Sequence, residues 1–357
     1  MAPAFRSPGE ALRFGALLLL LLALPWLVAL VHPPARVQVY RSVPPGVGPF
    51  TFMAREIFEE KSDIDVLFDV DSVGWVGVDA RYFQKQLSAA LGRPATVVVL
   101  AANWPGMDQR YVLLRDMLER RRVGMLVLSP PRPGSESDRP HVQAFRWLQF
   151  GEDQRMSAGL SLRNRLAIYA DEVLGAPRQL LSAVRPNLVA AEDPAIVAGL
   201  GSMKVEQGFH NTPFVRVDPV VTPVVRADDM ILSARTAQNF RVTGPALSAY
   251  QWHFMRQIGQ LAAQHRVPLT ILHVPLASER GSAVICEQAD WSQAFGTPVT
   301  VVGMSSQQLF RDMSDAQFYR YYYDDHLNRN GSELFTRAVS AALVAAYFRS
   351  AVDVRQR

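Results

Sequence analysis

Cysteine is almost missing from this chain: Cys286 is the only one in 357 residues. A single thiol excludes an intrachain disulfide and a multi-cysteine metal site. A chain without disulfides suits the cytoplasm and the periplasm equally, so compartment has to be read elsewhere. His141, His210, His253, His265 and His273 show no metal-ligand spacing among them, so no metal is expected, nor any other cofactor. An excess of one charge is lacking too. The formal net charge is only +4, and the basic residues are mostly scattered. The densest basic run, Arg120-Arg121-Arg122, has no interleaved aromatics, which removes the stacking platforms that nucleic-acid grooves use. It reads as the solvated end of a helix, where cations suit the dipole, with a phosphate- or lipid-binding patch as the alternative. No nucleic acid is expected as a partner. Internal repeats are absent as well, which sets repeat architectures aside.

What is present is an ordinary globular composition, 49% apolar and 20% charged, sufficient for a substantial core. The length fits one large domain, or a domain with a sizeable insertion. The N-terminus is the exception. Phe14 to Val31 carries no charge and contains an unbroken leucine run from Leu17 to Leu22. Such a segment approaches the ~20 residues a helix needs to cross a bilayer. Arg6 and Arg13 precede it and would hold residues 1–13 in the cytoplasm. A cleaved signal peptide usually has a shorter apolar stretch of ~7–15 residues and a small-x-small site, and Val31-His32-Pro33-Pro34-Ala35 is a poor one. The segment 14–31 is therefore expected to be an uncleaved single-pass anchor in the cytoplasmic membrane, with the body of the protein extracytoplasmic (periplasmic). A cleaved signal is the alternative.

Beyond it, residues 32–63 read as a proline-rich linker and a leading helix from Phe50 to Lys61. From Ile64 onward the pattern is α/β. Strands are expected at Asp65–Val70, Ala95–Ala101, Val123–Leu128, Leu269–Val274 and Val299–Val302. Helices are expected at Arg81–Leu91, Met107–Arg122, Ala246–His265 and Ser332–Phe348, from apolar residues at helical spacing. Strand–helix–strand units of this length imply a parallel sheet. An irregular insertion is expected around 130–240, including a helix from Leu160 to Leu174 and an aperiodic stretch from Pro186 to Ala234.

Chemistry concentrates at two places. Near the end stands Tyr323-Asp324-Asp325-His326-Leu327-Asn328-Arg329-Asn330-Gly331, with acidic residues directly before a histidine at the mouth of the last helix. A neighbouring carboxylate holds an imidazole in one tautomer and stabilises its protonated form, which suits a general base. Asn328 is also the natural N-cap of that helix. Far upstream, Leu67-Phe68-Asp69-Val70-Asp71-Ser72 breaks from an apolar run into a polar turn. That puts Ser72 at the carboxyl edge where open parallel sheets hold their ligands. Serine and histidine together point to nucleophilic catalysis, against the plainer reading of a strand-end turn and a loop histidine. Trp75 and Trp104, beside glycine-bearing turns, are candidates for a sugar platform or for plain packing.

Four motifs taken together resemble the SGNH (GDSL-type) hydrolase superfamily: Asp69-Val70-Asp71-Ser72, Gly77-Val78-Asp79, Asn103-Trp104-Pro105-Gly106, and Asp325-His326-Leu327-Asn328 with Gly331. The resemblance is to its membrane-anchored branch, similar to the D-alanine-transfer and alginate-acetylation accessory proteins that work beside membrane-bound O-acyltransferases. It implies a three-layer SGNH-like α/β domain over residues 64–357. It makes Ser72 the nucleophile, His326 its base and Asp324 or Asp325 the orienting acid. The amides of Ser72 and Gly106, with Asn103, would donate to an oxyanion. It also implies a serine esterase or O-acyltransferase acting on a cell-surface polysaccharide. Three positions depart from that pattern. Val70 stands where glycine is usual. Leu128-Ser129-Pro130-Pro131 stands where an asparagine usually follows the third strand, and Tyr323 occupies the common position of the orienting acid. Those departures favour the alternative of a non-catalytic scaffold of the same fold, binding glycan or the acyltransferase.

Overall fold

The computed structural model describes residues 7–32, 34–43, 50–101, 106–131, 249–280, 291–311, 313–323 and 325–355, with positions 5, 148, 162, 163, 166, 169 and 177–180 besides. Asn103, Trp104, Asp324 and Cys286 lie outside the described residues, as does nearly all of the expected insertion, its aperiodic stretch included; the four described positions of its expected helix, 162, 163, 166 and 169, are helical.

Five parallel strands form one sheet: β1 (Ile64–Val70), β2 (Val97–Ala101), β3 (Val123–Leu128), β4 (Leu269–His273) and β5 (Val299–Gly303), in the order β2-β1-β3-β4-β5. Every residue of β1 and β2 is buried, as expected for strands covered on both faces, which read as continuous apolar runs. All five lie within a residue or two of the expected positions.

The helices follow their capping chemistry. An N-terminal helix α1 (Pro8–Val31) starts where the Ser7 hydroxyl accepts the Glu10 N–H at 3.2 Å, and two short segments follow, α2 (Arg36–Arg41) and α3 (Phe50–Ala54), the latter continuing as a π-helical turn over Arg55–Glu59. After β1 comes α4 (Ser72–Gly77), then α5 (Ala80–Leu91), capped by Asp79 accepting the Tyr82 N–H at 3.0 Å and closed by Gly92 at φ 66°. That left-handed C-cap is where glycine avoids the Cβ penalty. Next come α6 (Met107–Leu118), α7 (Ala249–His265), α8 (Trp291–Phe295), α9 (Ser306–Leu309), α10 (Asp315–Phe318) and the closing α11 (Arg329–Arg355). Between α10 and α11, strands β6 (Tyr322–Tyr323) and β7 (His326–Leu327) form a small antiparallel hairpin. Helices α5 and α11 pack together, and α6 packs on α7, consistent with a three-layer α/β arrangement. Phe68 of β1 meets Phe83 of α5 edge-on at 5.5 Å, both fully buried.

Two expectations change here. Helix α6 stops at Leu118, four residues before the expected end, and Arg121 is buried rather than solvated. Its guanidinium pairs with Glu56 at 3.0 Å and donates to the Ser62 carbonyl, while Arg120 lies over the Phe58 ring at 4.7 Å. The arginine run therefore fastens the leading segment to the sheet domain. The second concerns α1. Leu17 to Leu22 are between 46% and 69% exposed, and six consecutive residues cover every side of a helix. Yet among the described residues no helix is long and apolar enough to cross a membrane, so the anchor remains an expectation.

Candidate active site

In the order β2-β1-β3-β4-β5, the chain leaves β1 toward one edge and β3 toward the other. The crevice beyond their carboxyl ends is where such sheets bind ligands. Val70 pairs with Ala101 of β2, and Asp69 pairs with Leu128 of β3, so Asp71-Ser72 and Ser129 leave the sheet side by side. Ser72 is the first residue of α4, and Asp71 caps that helix by accepting the Gly74 N–H at 2.9 Å. The strand therefore turns sharply into a helix, with the Ser72 side chain half-buried at the bend. The turn forms with Val70 in place of glycine.

His326 reaches this bend from the far end of the sequence. It lies on β7, which packs against α4, and its Nε2 is 3.1 Å from Ser72 Oγ. The structure thus brings together two residues 254 positions apart, at a separation suited to proton transfer. For the serine hydroxyl to donate, Nε2 must be the unprotonated nitrogen, with the imidazole proton on Nδ1. The hairpin that carries His326 is well held. Phe318 and Tyr322 stack at 4.7 Å, Phe310 meets Phe318 at 5.1 Å and Tyr322 at 5.6 Å, and the Tyr322 hydroxyl donates to the Pro275 carbonyl at 3.3 Å. Asn328 caps α11 as expected, accepting the Gly331 N–H at 3.1 Å, and its amide donates to the Arg320 carbonyl at 2.7 Å. Gly331 has no room for a side chain, because a Cβ there would run into the Tyr321 carbonyl.

Asp325 needs a correction. It does not serve His326: its Oδ1 accepts the Ser278 N–H at 2.8 Å and its Oδ2 the Ser278 hydroxyl at 3.0 Å. Asp325 lies in the turn of the hairpin, and there the acid beside the histidine fastens the hairpin to the loop after β4. Gly106 opens α6 on the same sheet edge as Ser72 and is buried. Trp75 is buried to 5% exposure in the core, so it packs the sheet and offers no open sugar platform.

Three residues that sequence reading passed over complete the bend. Ser129 is buried; its hydroxyl donates to Asp71 Oδ1 at 3.0 Å and accepts the Asp71 N–H at 3.3 Å. Gly74 makes room for it, since a Cβ there would stand 2.6 Å from Ser129 Oγ and 2.7 Å from Val70 Cβ. Arg110 of α6, fully buried, donates to the carbonyls of Asp69 at 3.1 Å and Ser129 at 3.0 Å, tying the carboxyl ends of β1 and β3 together. Asp69 lies beneath them. Burial pushes its carboxyl up to about 7, against the opposing pull of Arg110, and the charge of Asp71 adds to the rise. Its Oδ2 has no hydrogen-bond partner among the described residues. The sequence signal for Arg110 was an arginine inside the Met107, Tyr111, Leu114 stripe of an apolar helix face. For Ser129 it was a serine standing where an asparagine was sought.

No family model, curated protein or solved structure matches the chain.

Proposed function

We propose that this chain is a membrane-anchored, extracytoplasmic serine esterase or O-acyltransferase of SGNH type that acts on a cell-surface glycan beside a membrane-bound O-acyltransferase. The observation that carries the reading is the 3.1 Å approach of Ser72 Oγ to His326 Nε2 at the carboxyl edge of the sheet. On this reading Ser72 Oγ attacks the carbonyl carbon of an ester donor while His326 Nε2 takes its proton. The tetrahedral intermediate then collapses, and His326 returns that proton to the departing alkoxide, leaving an acyl-Ser72 ester. A sugar hydroxyl, or water in simple hydrolysis, attacks this ester with His326 again as base, and Ser72 recovers its proton. The amides of Ser72 and Gly106 are assigned to the oxyanion, where losing one donor typically costs ~3–4 kcal/mol. Asp325 is engaged with Ser278, so the orienting role is assigned to Asp324. The anchor is assigned to α1, because leucines exposed on every side suit lipid better than water.

The test is reaction of the full-length protein, purified in detergent, with a serine-directed fluorophosphonate. Labelling that is lost in Ser72→Ala and reduced at least about tenfold in His326→Ala, in variants that keep the parent's melting temperature, is the expected result. Equal labelling of the parent and Ser72→Ala would refute the nucleophile, and no labelling of the parent between neutral and mildly alkaline pH would favour the scaffold.

A further inference from the structure

A cleft of about 490 Å³ opens beyond the carboxyl end of β5, lined by Arg280, Ser306, Gln307, Gln308, Phe310 and Arg311. Its volume falls in the range of small-ligand sites, about 300–1,000 Å³. Its chemistry is one-sided: among the described residues the lining offers two guanidiniums, two amides and a hydroxyl, and no carboxylate.

Several of these donors are unused. The side-chain hydrogen bond and the ion pair of Arg280 both fall on Nη2, which reaches the Met313 carbonyl at 2.9 Å and Asp315 at 2.7 Å. Its guanidinium carbon lies over the Phe318 ring at 4.2 Å, and Nε and Nη1 have no hydrogen-bond partner among the described residues. Asp315 offsets part of this charge, but it is 81% exposed and screened by water. Arg311 is exposed and makes no hydrogen bond or ion pair among the described residues. Ser306 is only 1% exposed, and its Oγ has no partner among the described residues. A buried hydroxyl left without a partner is unfavourable, and a ligand that offers it an acceptor removes that penalty.

We propose that this cleft is an anion subsite that takes a carboxylate or phosphate borne by the glycan acted on at Ser72. The proposal deepens the function proposed above, and its link to catalysis rests on that reading. The cleft adjoins the histidine hairpin. Phe310 in its wall touches Tyr321 at 5.4 Å and Tyr322 at 5.6 Å, and Tyr323, the next residue, pairs with His326. The loop that carries Arg280 also carries Ser278, the partner of Asp325. Planar guanidiniums match carboxylate and phosphate geometry with paired N–H donors.

The experiment measures equilibrium binding to full-length Ser72→Ala, which cannot turn over, with three probes: an oligogalacturonate, inorganic phosphate and a neutral malto-oligosaccharide. At least one of the two anions is expected to bind more tightly than the neutral chain and to weaken as salt rises, and the arm that binds identifies the carboxylate or the phosphate. Arg311→Gln, whose side chain has no hydrogen bond or ion pair among the described residues to lose, should weaken that binding at least about tenfold. It should keep the parent's melting temperature. Unaltered anion binding in Arg311→Gln, equal affinity for the neutral chain, or no binding of either anion would overturn the subsite. Anion binding that is lost in Arg311→Gln, in a protein whose parent never labels, supports the subsite while refuting the serine chemistry.

Discussion

Ser72 gets its orientation from a backbone bend, and a few polar atoms set that bend. Asp71 stands at the centre: one carboxylate oxygen takes both the Gly74 N–H and the Ser129 hydroxyl. Ser129→Ala removes that second donor and also the acceptor of the Asp71 N–H. A hydrogen bond to a charged group contributes about 1.5–3 kcal/mol, so a loss of that order in global stability is expected. The sharper readout is chemical. If Ser129 only stabilises the fold, the rate of fluorophosphonate labelling should not change in Ser129→Ala below its melting temperature. If it positions Ser72, that rate should fall about ten- to a hundredfold, since a misplacement of ~1 Å carries such a penalty, and Ser129→Thr should restore part of it. Unchanged labelling in Ser129→Ala would dismiss the positioning role. None of this was visible as pattern. Asp71-Ser72 could be read as a strand-end turn because apolar runs end in polar residues, but the Ser129 contact depends on β1 and β3 being neighbours, which only the strand order supplies.

At the scale of elements, the hairpin β6–β7 decides whether His326 reaches Ser72. Its sequence announced the histidine and the cap Asn328, because both follow from local chemistry: a polar residue three positions before Gly331 meets an orphan helix N–H. The role of Asp325 was not legible, since its partner Ser278 lies 47 positions away and meets it only through the tertiary fold. Asp325 holds the hairpin to Ser278 from outside. Asp325→Asn keeps the side chain's shape and removes its charge. It should lower the melting temperature slightly while leaving the pH midpoint of Ser72 labelling, which reports His326, where it was. Asp324→Asn is expected to move that midpoint down, because a carboxylate beside an imidazole favours its protonated form. A midpoint that shifts in Asp325→Asn and stays in Asp324→Asn would reverse the assignment. The same contrast explains what could be read of the fold. The five strands were placed closely, whereas α11 runs to Arg355, seven residues past its expected end, and α6 ran short because Arg121 leaves the helix to reach Glu56 and Ser62, a tertiary demand that no local pattern carries.

At the scale of the whole molecule, the carboxyl edge of the sheet contains a buried acid that makes global stability depend on pH. Asp69 is fully buried, and its carboxyl is raised from the ordinary 3.8 to about 7. The folded state therefore prefers it protonated. Between those two values the native protein binds more protons than the unfolded chain, so stability falls as pH rises through that window. Below about pH 4 the penalty is absent, because Asp69 is neutral in both states; above about pH 7 it is complete. A rise of about three units, at roughly 1.4 kcal/mol each, sets an upper bound of roughly 4 kcal/mol. Asp69→Asn supplies a neutral side chain of the same shape at every pH. Urea unfolding of parent and variant should give similar free energies at pH 4, with the variant more stable by on the order of 2–4 kcal/mol at pH 8. Differencing the two proteins cancels the titration of all groups they share, so the comparison isolates Asp69. A difference that stays constant from pH 4 to pH 8 would mean that Asp69 keeps its charge in the folded state. Arg110, whose charge alone opposes the rise, would then outweigh burial, and the base of the Ser72 bend would be an ion pair.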